Sequence, residues 1–244
     1  MKNIKLIIQY DGSFYSGWQR QDNAVSIQEK LEMAIKEITG EDINLIGSGR
    51  TDKGVHAYAQ VANFRTQSNI RPDKFYHWMK MHLPDDIKVI SSEEVPHEFH
   101  SRFDAKSKTY IYKIYNDEDL HPIYRNYYEE ITYKLDVEKM QAASKLLIGE
   151  HDFSGFAGIL EEKTNPIRTL DSIEISRNGK YIDIELKAMS FLRNQVRIIA
   201  GTLVEVGRGR KSESDLKKIL ETGDRTLAGP TLGGRGLYLM KVEY

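Results

Sequence analysis

Residues 172–188 read SIEISRNGKYIDIELKA, and this stretch sets the fold class. Ile182, Ile184, Leu186 and Ala188 alternate with Asp183, Glu185 and Lys187. A period of two puts apolar side chains on one face of a strand and charges on the other. SIEIS precedes it as a second strand, with the turn RNGK between them. A hairpin with one buried and one wet face belongs to an antiparallel sheet. On its C-terminal side, residues 191–207 are expected to be helical, with Leu192, Val196, Ile199, Leu203 and Val206 as the core stripe. A shorter helix over 212–220 and a final strand, GLYLMKVEY (236–244), follow. On its N-terminal side, Asp136 caps a helix carrying Val137, Met140, Ala143 and Leu147. KTYIYKIYN (108–116) alternates, so Tyr110, Tyr112 and Ile114 share a face opposite Thr109, Ile111 and Lys113.

The first half mixes elements in the same way. Ile4 to Tyr10 reads as a buried strand, followed by the turn-rich DGSFYSGW. Ser26 with Glu29 forms a capping box, Ile27, Leu31, Ala34, Ile35 and Ile38 recur at helical spacing, and Gly40 stands at the C-cap. INLIGS (43–48) and AYAQVANFRT (57–66) read as strands. Pro72 opens a helix running through Leu83 that Pro84 stops, and IKVISSEEV (87–95) closes the half. Hairpins without a regular βαβ alternation indicate an α+β protein with largely antiparallel sheets. FHSRFDAKSK (99–108) is the expected junction, giving an N-terminal domain over 1–105 and a C-terminal domain over 106–244.

A chain of 244 residues suits two domains of about 100–150 residues. With 35 basic against 36 acidic side chains the net charge is −1, so any contact with a polyanion must come from local clusters. Cysteine is absent, which excludes disulfides and thiolate metal sites and suits a reducing cytoplasm. The N-terminus lacks a cleavage-site pattern, and no apolar run reaches the length of a membrane span, so a cytoplasmic protein is expected. The histidines, seven in all, lack an acidic or thiolate set to complete a metal site, and no metal is expected. No phosphate-binding loop or dinucleotide fingerprint occurs.

Charge is unevenly spread. Arg193, Arg197, Arg208, Arg210 and Lys211 face only Glu205 in their segment, and Arg102, Lys106 and Lys108 cluster near Tyr110 and Tyr112. Cations interleaved with aromatics suit loop or single-stranded RNA, although each cluster alone also reads as an ordinary solvated face. The loop GSGRTDKGVHA (47–57) sets one carboxylate, Asp52, between Arg50 and Lys53 among three glycines. By itself it is also compatible with plain turn chemistry.

The loop resembles the signature of the bacterial tRNA pseudouridine synthase A family, and further segments resemble it in the same order. They include YDGSFYSGWQRQ (10–21), FHSRFDA (99–105), KTYIYKI (108–114), HDFSGFA (151–157), RTL (168–170) and SFLRNQVRIIAGTLVEVGRG (190–209). The resemblance implies two ferredoxin-like, RRM-related domains around a central cleft and a homodimer that grips tRNA. The implied reaction is isomerisation of uridine to pseudouridine at positions 38, 39 and 40 of the anticodon stem-loop, without cofactor. Departures are small: Arg193 stands where relatives often carry an aromatic or histidine, and Gln195 where they carry methionine.

The reaction breaks the N1–C1′ bond, turns the base and rejoins it through C5, so a reversible carboxylate nucleophile suffices. Uracil leaves more readily than an alkoxide, so the second carboxylate of a glycosidase is dispensable. Attack at C1′, attack at C6 and abstraction of the C2′ proton all remain open for Asp52. Arg197, at the border of its helix's buried face, needs a carboxylate opposite it, and Asp52 is the expected partner. Tyr110 is expected to stack on the base and to move the C5 proton. Arg50 and His56 are expected to hold the flipped nucleotide, and Arg102, Arg193, Arg208, Arg210 and Lys211 to contact RNA. The competing reading is a non-catalytic tRNA-binding module of the same fold.

Overall fold

The computed structural model describes residues 1–244. The chain divides into two units, Met1–Lys106 with Tyr238–Tyr244, and Ser107–Leu237. In the first, β1 (Lys2–Tyr10) buries Ile4, Leu6, Ile8 and Tyr10 at alternate positions. Helix α1 (Ile27–Thr39) buries Ile27, Leu31, Ala34 and Ile35. Its ends are those the sequence marks: the Ser26 hydroxyl accepts the Glu29 N–H, and Gly40 closes the helix at φ 75°. The strands β2 (Ile46–Gly47), β3 (His56–Thr66) and β4 (Ile87–Val95) complete the sheet. β1 pairs antiparallel with β3 on one side and β4 on the other, and β2 pairs antiparallel with β3.

Two expectations need correction here. The helix expected from Pro72 to Leu83 is a 3₁₀ turn at Pro72–Lys74 and a short α2 (Phe75–Met79). Only Phe75 and Met79 are buried on it, and two anchors one turn apart hold a single turn of helix. The chain then tightens, with the His82 and Leu83 N–H groups both reaching the Met79 carbonyl. The final strand, β10 (Leu237–Glu243), was expected in the 106–244 domain, but residues from Tyr238 onward belong to the first unit. It adds there in parallel, Tyr238 beside His56 and Leu239 beside Ala57. A parallel partner so distant in sequence leaves no local signal.

The second unit begins with β5 (Ser107–Tyr115), which buries Lys108, Tyr110, Tyr112 and Ile114 as its alternation requires. β6 (Glu129–Glu130) pairs with it in parallel. Helix α3 (Val137–Ser144) starts at Asp136, whose carboxylate accepts the Lys139 N–H. β7 (Gly149–Asp152), β8 (Ile167–Asn178) and β9 (Tyr181–Ala188) give the antiparallel order β5-β9-β8-β7. The hairpin of the opening stretch turns at Gly179, φ 61°. With the β5–β6 and β3–β10 pairs as parallel exceptions, the protein is an α+β fold of mostly antiparallel sheets.

Helix α4 (Gln195–Gly207) begins later than the expected position 191. The Gln195 side chain takes the Leu192 N–H at 2.7 Å, and Asn194 adopts a left-handed φ of 61°. Asparagine tolerates that conformation better than most residues, and a residue in it cannot extend a right-handed helix. Helix α5 (Glu213–Thr222) has a complete capping box between Ser212 and Asp215. The middle of α4 meets the 229–230 backbone closely: Thr202 Oγ1 accepts the Gly229 N–H at 2.8 Å. A Cβ on Gly201 would lie 2.0 Å from the Pro230 carbonyl oxygen. In a free helix Gly to Ala gains about 1 kcal/mol. Here we expect Gly201→Ala to lose about 1–3 kcal/mol by overpacking, read as a lower urea midpoint; an unchanged or higher midpoint would refute the close approach.

Candidate active-site loop

The loop at 47–57 is held by backbone contacts with residues 10–18. The Trp18 N–H donates to the Thr51 carbonyl at 3.0 Å, and the Gly54 N–H to the Tyr15 carbonyl at 3.4 Å. The Tyr10 phenol and the Thr51 hydroxyl share a hydrogen bond of 2.8 Å. Burial pushes the Tyr10 phenol well above its ordinary pKa, so it stays neutral. Behind the loop, Ser48 donates to Gln60 Oε1 at 2.6 Å and Gln60 Nε2 to the Gly49 carbonyl at 3.0 Å. The Val55 N–H closes a tight turn onto the Asp52 carbonyl at 3.2 Å.

Glycine is required where the two segments touch. A Cβ on Gly12 would lie 1.9 Å from the Val55 carbonyl oxygen. Gly17, at φ 99°, would place one 2.4 Å from the Thr51 carbonyl oxygen. Trp18, 2% exposed, packs where any side chain on Gly47 would have to go. Tyr10, Gly12, Gly17 and Trp18 all lie in the YDGSFYSGW run, whose turn residues announce a loop without saying what it holds.

Asp52 is half-buried in this loop, and Arg50 is exposed. The Nε of Arg50 donates to Gln19 Oε1 at 3.0 Å. His56, expected to hold a flipped nucleotide, is 3% exposed and does other work. Its ring stacks on Tyr238 with centroids 4.7 Å apart. Its Nδ1 lies 3.1 Å from the Gly12 nitrogen and 3.1 Å from an Asp11 carboxylate oxygen. One ring nitrogen cannot serve both at once: bare, it accepts from Gly12; protonated, it donates to Asp11. Either way His56 anchors the Asp11–Ser13 turn, a positioning role. Arg102 is exposed beside Phe103, itself 74% exposed and in tilted contact with the His100 ring at 4.3 Å.

In the second unit, Tyr110 on β5 is buried, edge-on to Phe191 at 5.3 Å. Arg197 on α4 is half-buried, its Nε donating to the Leu232 carbonyl at 2.7 Å and its Nη1 to Asn194 Oδ1 at 3.1 Å. The left-handed Asn194 thus helps to orient the arginine. Arg193 is exposed. The group Arg208, Arg210 and Lys211, expected to contact RNA, is largely engaged within its own unit. Arg208 lies 4.0 Å over the Tyr133 ring and 3.3 Å from Glu205. Arg210 stands 4.0 Å from the same carboxylate, and Lys211 donates to the Leu227 carbonyl at 2.6 Å. The one carboxylate of Glu205, shared by Arg208 and Arg210, offsets one of these three positive charges. No three histidine, aspartate or glutamate side chains gather as a metal-binding set.

Comparison with known proteins bears on what these residues serve. A family model described as tRNA pseudouridine synthase matches residues 6–104 and 143–244. Over 244 residues, all of both chains, the protein is 47% identical to tRNA pseudouridine synthase A of Thermoanaerobacter sp. (strain X514). The chain belongs to the tRNA pseudouridine synthase A family. Family members of matching length include tRNA pseudouridine synthase A 2 of Clostridium tetani, 46% identical over all of this chain and 99% of that one. Another is tRNA pseudouridine synthase A of Acetivibrio thermocellus, 44% identical over the whole of both. Among solved structures, a chain of the Cbf5-Nop10-Gar1 complex matches at TM-score 0.36 and 12% identity, over 96% of this chain and 57% of that one. So remote a likeness carries no argument.

The loop's hold on its own backbone is testable without substrate. Gly12→Ala should lower stability by about 1–3 kcal/mol, the range for overpacking. It should also speed proteolysis within residues 47–57. A melting temperature and cleavage rate equal to the parent's would show that the two segments are not in contact.

Proposed function

We propose that the protein converts uridine to pseudouridine at positions 38, 39 and 40 of the tRNA anticodon stem-loop, with Asp52 as the nucleophile. Family membership makes it a pseudouridine-forming isomerase of tRNA; the positions and the residue roles are our reading. The observation that carries the assignment to Asp52 is the clamp on its loop. The backbone on both sides of this one carboxylate is tied down, at Thr51 and at Val55. The backbone that carries this carboxylate is therefore already fixed, and that part of the ordering cost is met before substrate arrives.

The overall change breaks N1–C1′, forms C5–C1′, releases the C5 proton and returns one to N1, with no net oxidation. Asp52 serves it by attack at C1′, by attack at C6, or by taking the C2′ proton. Arg197 is the proposed partner of Asp52. In support, two hydrogen bonds from its guanidinium fix that side chain in its own unit. A fixed planar fork aims a carboxylate in a way that a lysine cannot. Tyr110, braced by Phe191, is the proposed stacking surface for the base and carrier of the C5 proton. Arg50 and Arg102 remain the proposed RNA contacts of the first unit, and Arg193 that of the second.

The same reading assigns each unit a ferredoxin-like, RRM-related topology. In the first, the order of elements β1-α1-β2-β3-α2-β4 with pairing β4-β1-β3-β2 supports it. It also takes the homodimer and the cytoplasm as the working state. No helix is long and apolar enough to cross a membrane.

The test is release of tritium from tRNA carrying [5-³H]uridine. The parent protein should release it, and Asp52→Asn should stop release by at least a thousandfold while leaving tRNA binding in place. Activity of Asp52→Asn within tenfold of the parent would remove the nucleophile role. Tyr110→Phe should bind tRNA normally yet turn over at least a hundredfold more slowly; normal turnover would leave Tyr110 with stacking alone.

A further inference from the structure

Arg50 makes a single hydrogen bond within the protein, from Nε to Gln19 Oε1. That acceptor is the end of a chain of amides reaching into α1. Gln19 Nε2 donates to Gln28 Oε1 at 2.8 Å, and Gln28 Nε2 donates to Glu32 Oε1 at 3.0 Å and to the Leu45 carbonyl at 3.1 Å. Gln28 Oε1 also accepts the Arg20 N–H at 3.0 Å. Glu32 Oε1 in turn accepts the Leu45 N–H at 3.1 Å. Gln28 and Glu32 are 5% and 9% exposed, while Gln19 and Arg50 stand at the surface.

The direction of this chain is forced. A carboxylate and a backbone carbonyl only accept, so the Gln28 amide must turn its nitrogen to Glu32 and Leu45. Its oxygen then faces Gln19, whose nitrogen must meet it, and the Gln19 oxygen is left facing outward. An arginine Nε only donates, so the outward oxygen suits it. Reversing either amide would set oxygen against oxygen at one end and nitrogen against nitrogen at the other. Because Nε is the atom held, both Nη groups of Arg50 stay available for a ligand, in a side chain two positions before Asp52.

We propose that Gln19, oriented through Gln28 from the buried carboxylate of Glu32, is a positioning residue that presents Arg50 to the RNA substrate. The proposal rests on the reading of Arg50 as a substrate contact. An arginine on a flexible stem loses considerable freedom when it binds. A prior hold on Nε, with the amide already turned, removes part of that loss. Gln19 itself touches no reacting atom.

A double-mutant cycle on the full-length protein separates the possibilities, with tritium release from [5-³H]uridine tRNA as the readout. Gln19→Leu should lower kcat/KM about ten- to thirtyfold, the order for a hydrogen bond to a charged group. The change should divide between kcat and KM as it does for Arg50→Ala. In the Arg50→Ala background, Gln19→Leu should change kcat/KM by less than twofold. Its melting temperature should match the parent's, because the Gln19 side chain is exposed. Equal losses from Gln19→Leu with and without Arg50, or no loss at all, would overturn the positioning role. Full activity of Arg50→Ala would overturn it too, by removing Arg50 from the site. A parent protein that released no tritium would instead overturn the functional reading on which the inference stands.

Discussion

Backbone meets backbone where Gly12 abuts Val55 and Gly17 abuts Thr51, at distances that leave no room for a Cβ. The rest of the 47–57 loop follows from that contact. Because the 12–18 segment lies against the loop, Trp18 can donate to Thr51 and the Tyr10 phenol can bond its hydroxyl. Asp52 sits between these restraints and the turn closed at Val55. A reactive carboxylate on a free loop would sample many directions, and each would have to be given up in the transition state. Here the tertiary fold supplies that restriction. His56 extends it from below, joining the Asp11–Ser13 turn to the last strand through Tyr238.

In the second unit a similar economy surrounds Arg197. Gln195 occupies the Leu192 N–H, Asn194 turns left-handed, and the helix therefore starts just before the arginine. Strained backbone of this kind costs about 1–3 kcal/mol and persists where surrounding contacts over-determine it. Those contacts are visible: Asn194 accepts from Arg197, and the Gly158 N–H donates to the Arg193 carbonyl at 2.8 Å. Gln195 acts here as a local cap. Its polarity is satisfied in the buried backbone.

Features governed by neighbours in sequence were legible without the structure. Ser26 and Gly40 bracket α1, Asp136 caps α3, and the 172–188 hairpin turns where its glycine stands. Features governed by distant neighbours were not. The home of β10 depends on a parallel edge some 180 residues away, between Tyr238 and His56. The site shows the same division. The family signature around Asp52 could be read directly, and the family it points to is the one the chain belongs to. That His56 is buried, that Glu205 answers Arg208 and Arg210, and that Gln19 holds Arg50 are consequences of packing. A count of charges along the chain cannot show which of them already have partners.

The central claim is that one clamped carboxylate, Asp52, isomerises uridines of the anticodon stem-loop. The most direct measurement is carbodiimide-dependent primer extension on unmodified tRNA transcripts bearing uridine at positions 38, 39 and 40, incubated with the parent or with Asp52→Asn. The account predicts stops specific to pseudouridine at those positions with the parent protein and none with Asp52→Asn. Stops produced by Asp52→Asn, or stops from the parent only elsewhere in the tRNA, would contradict it.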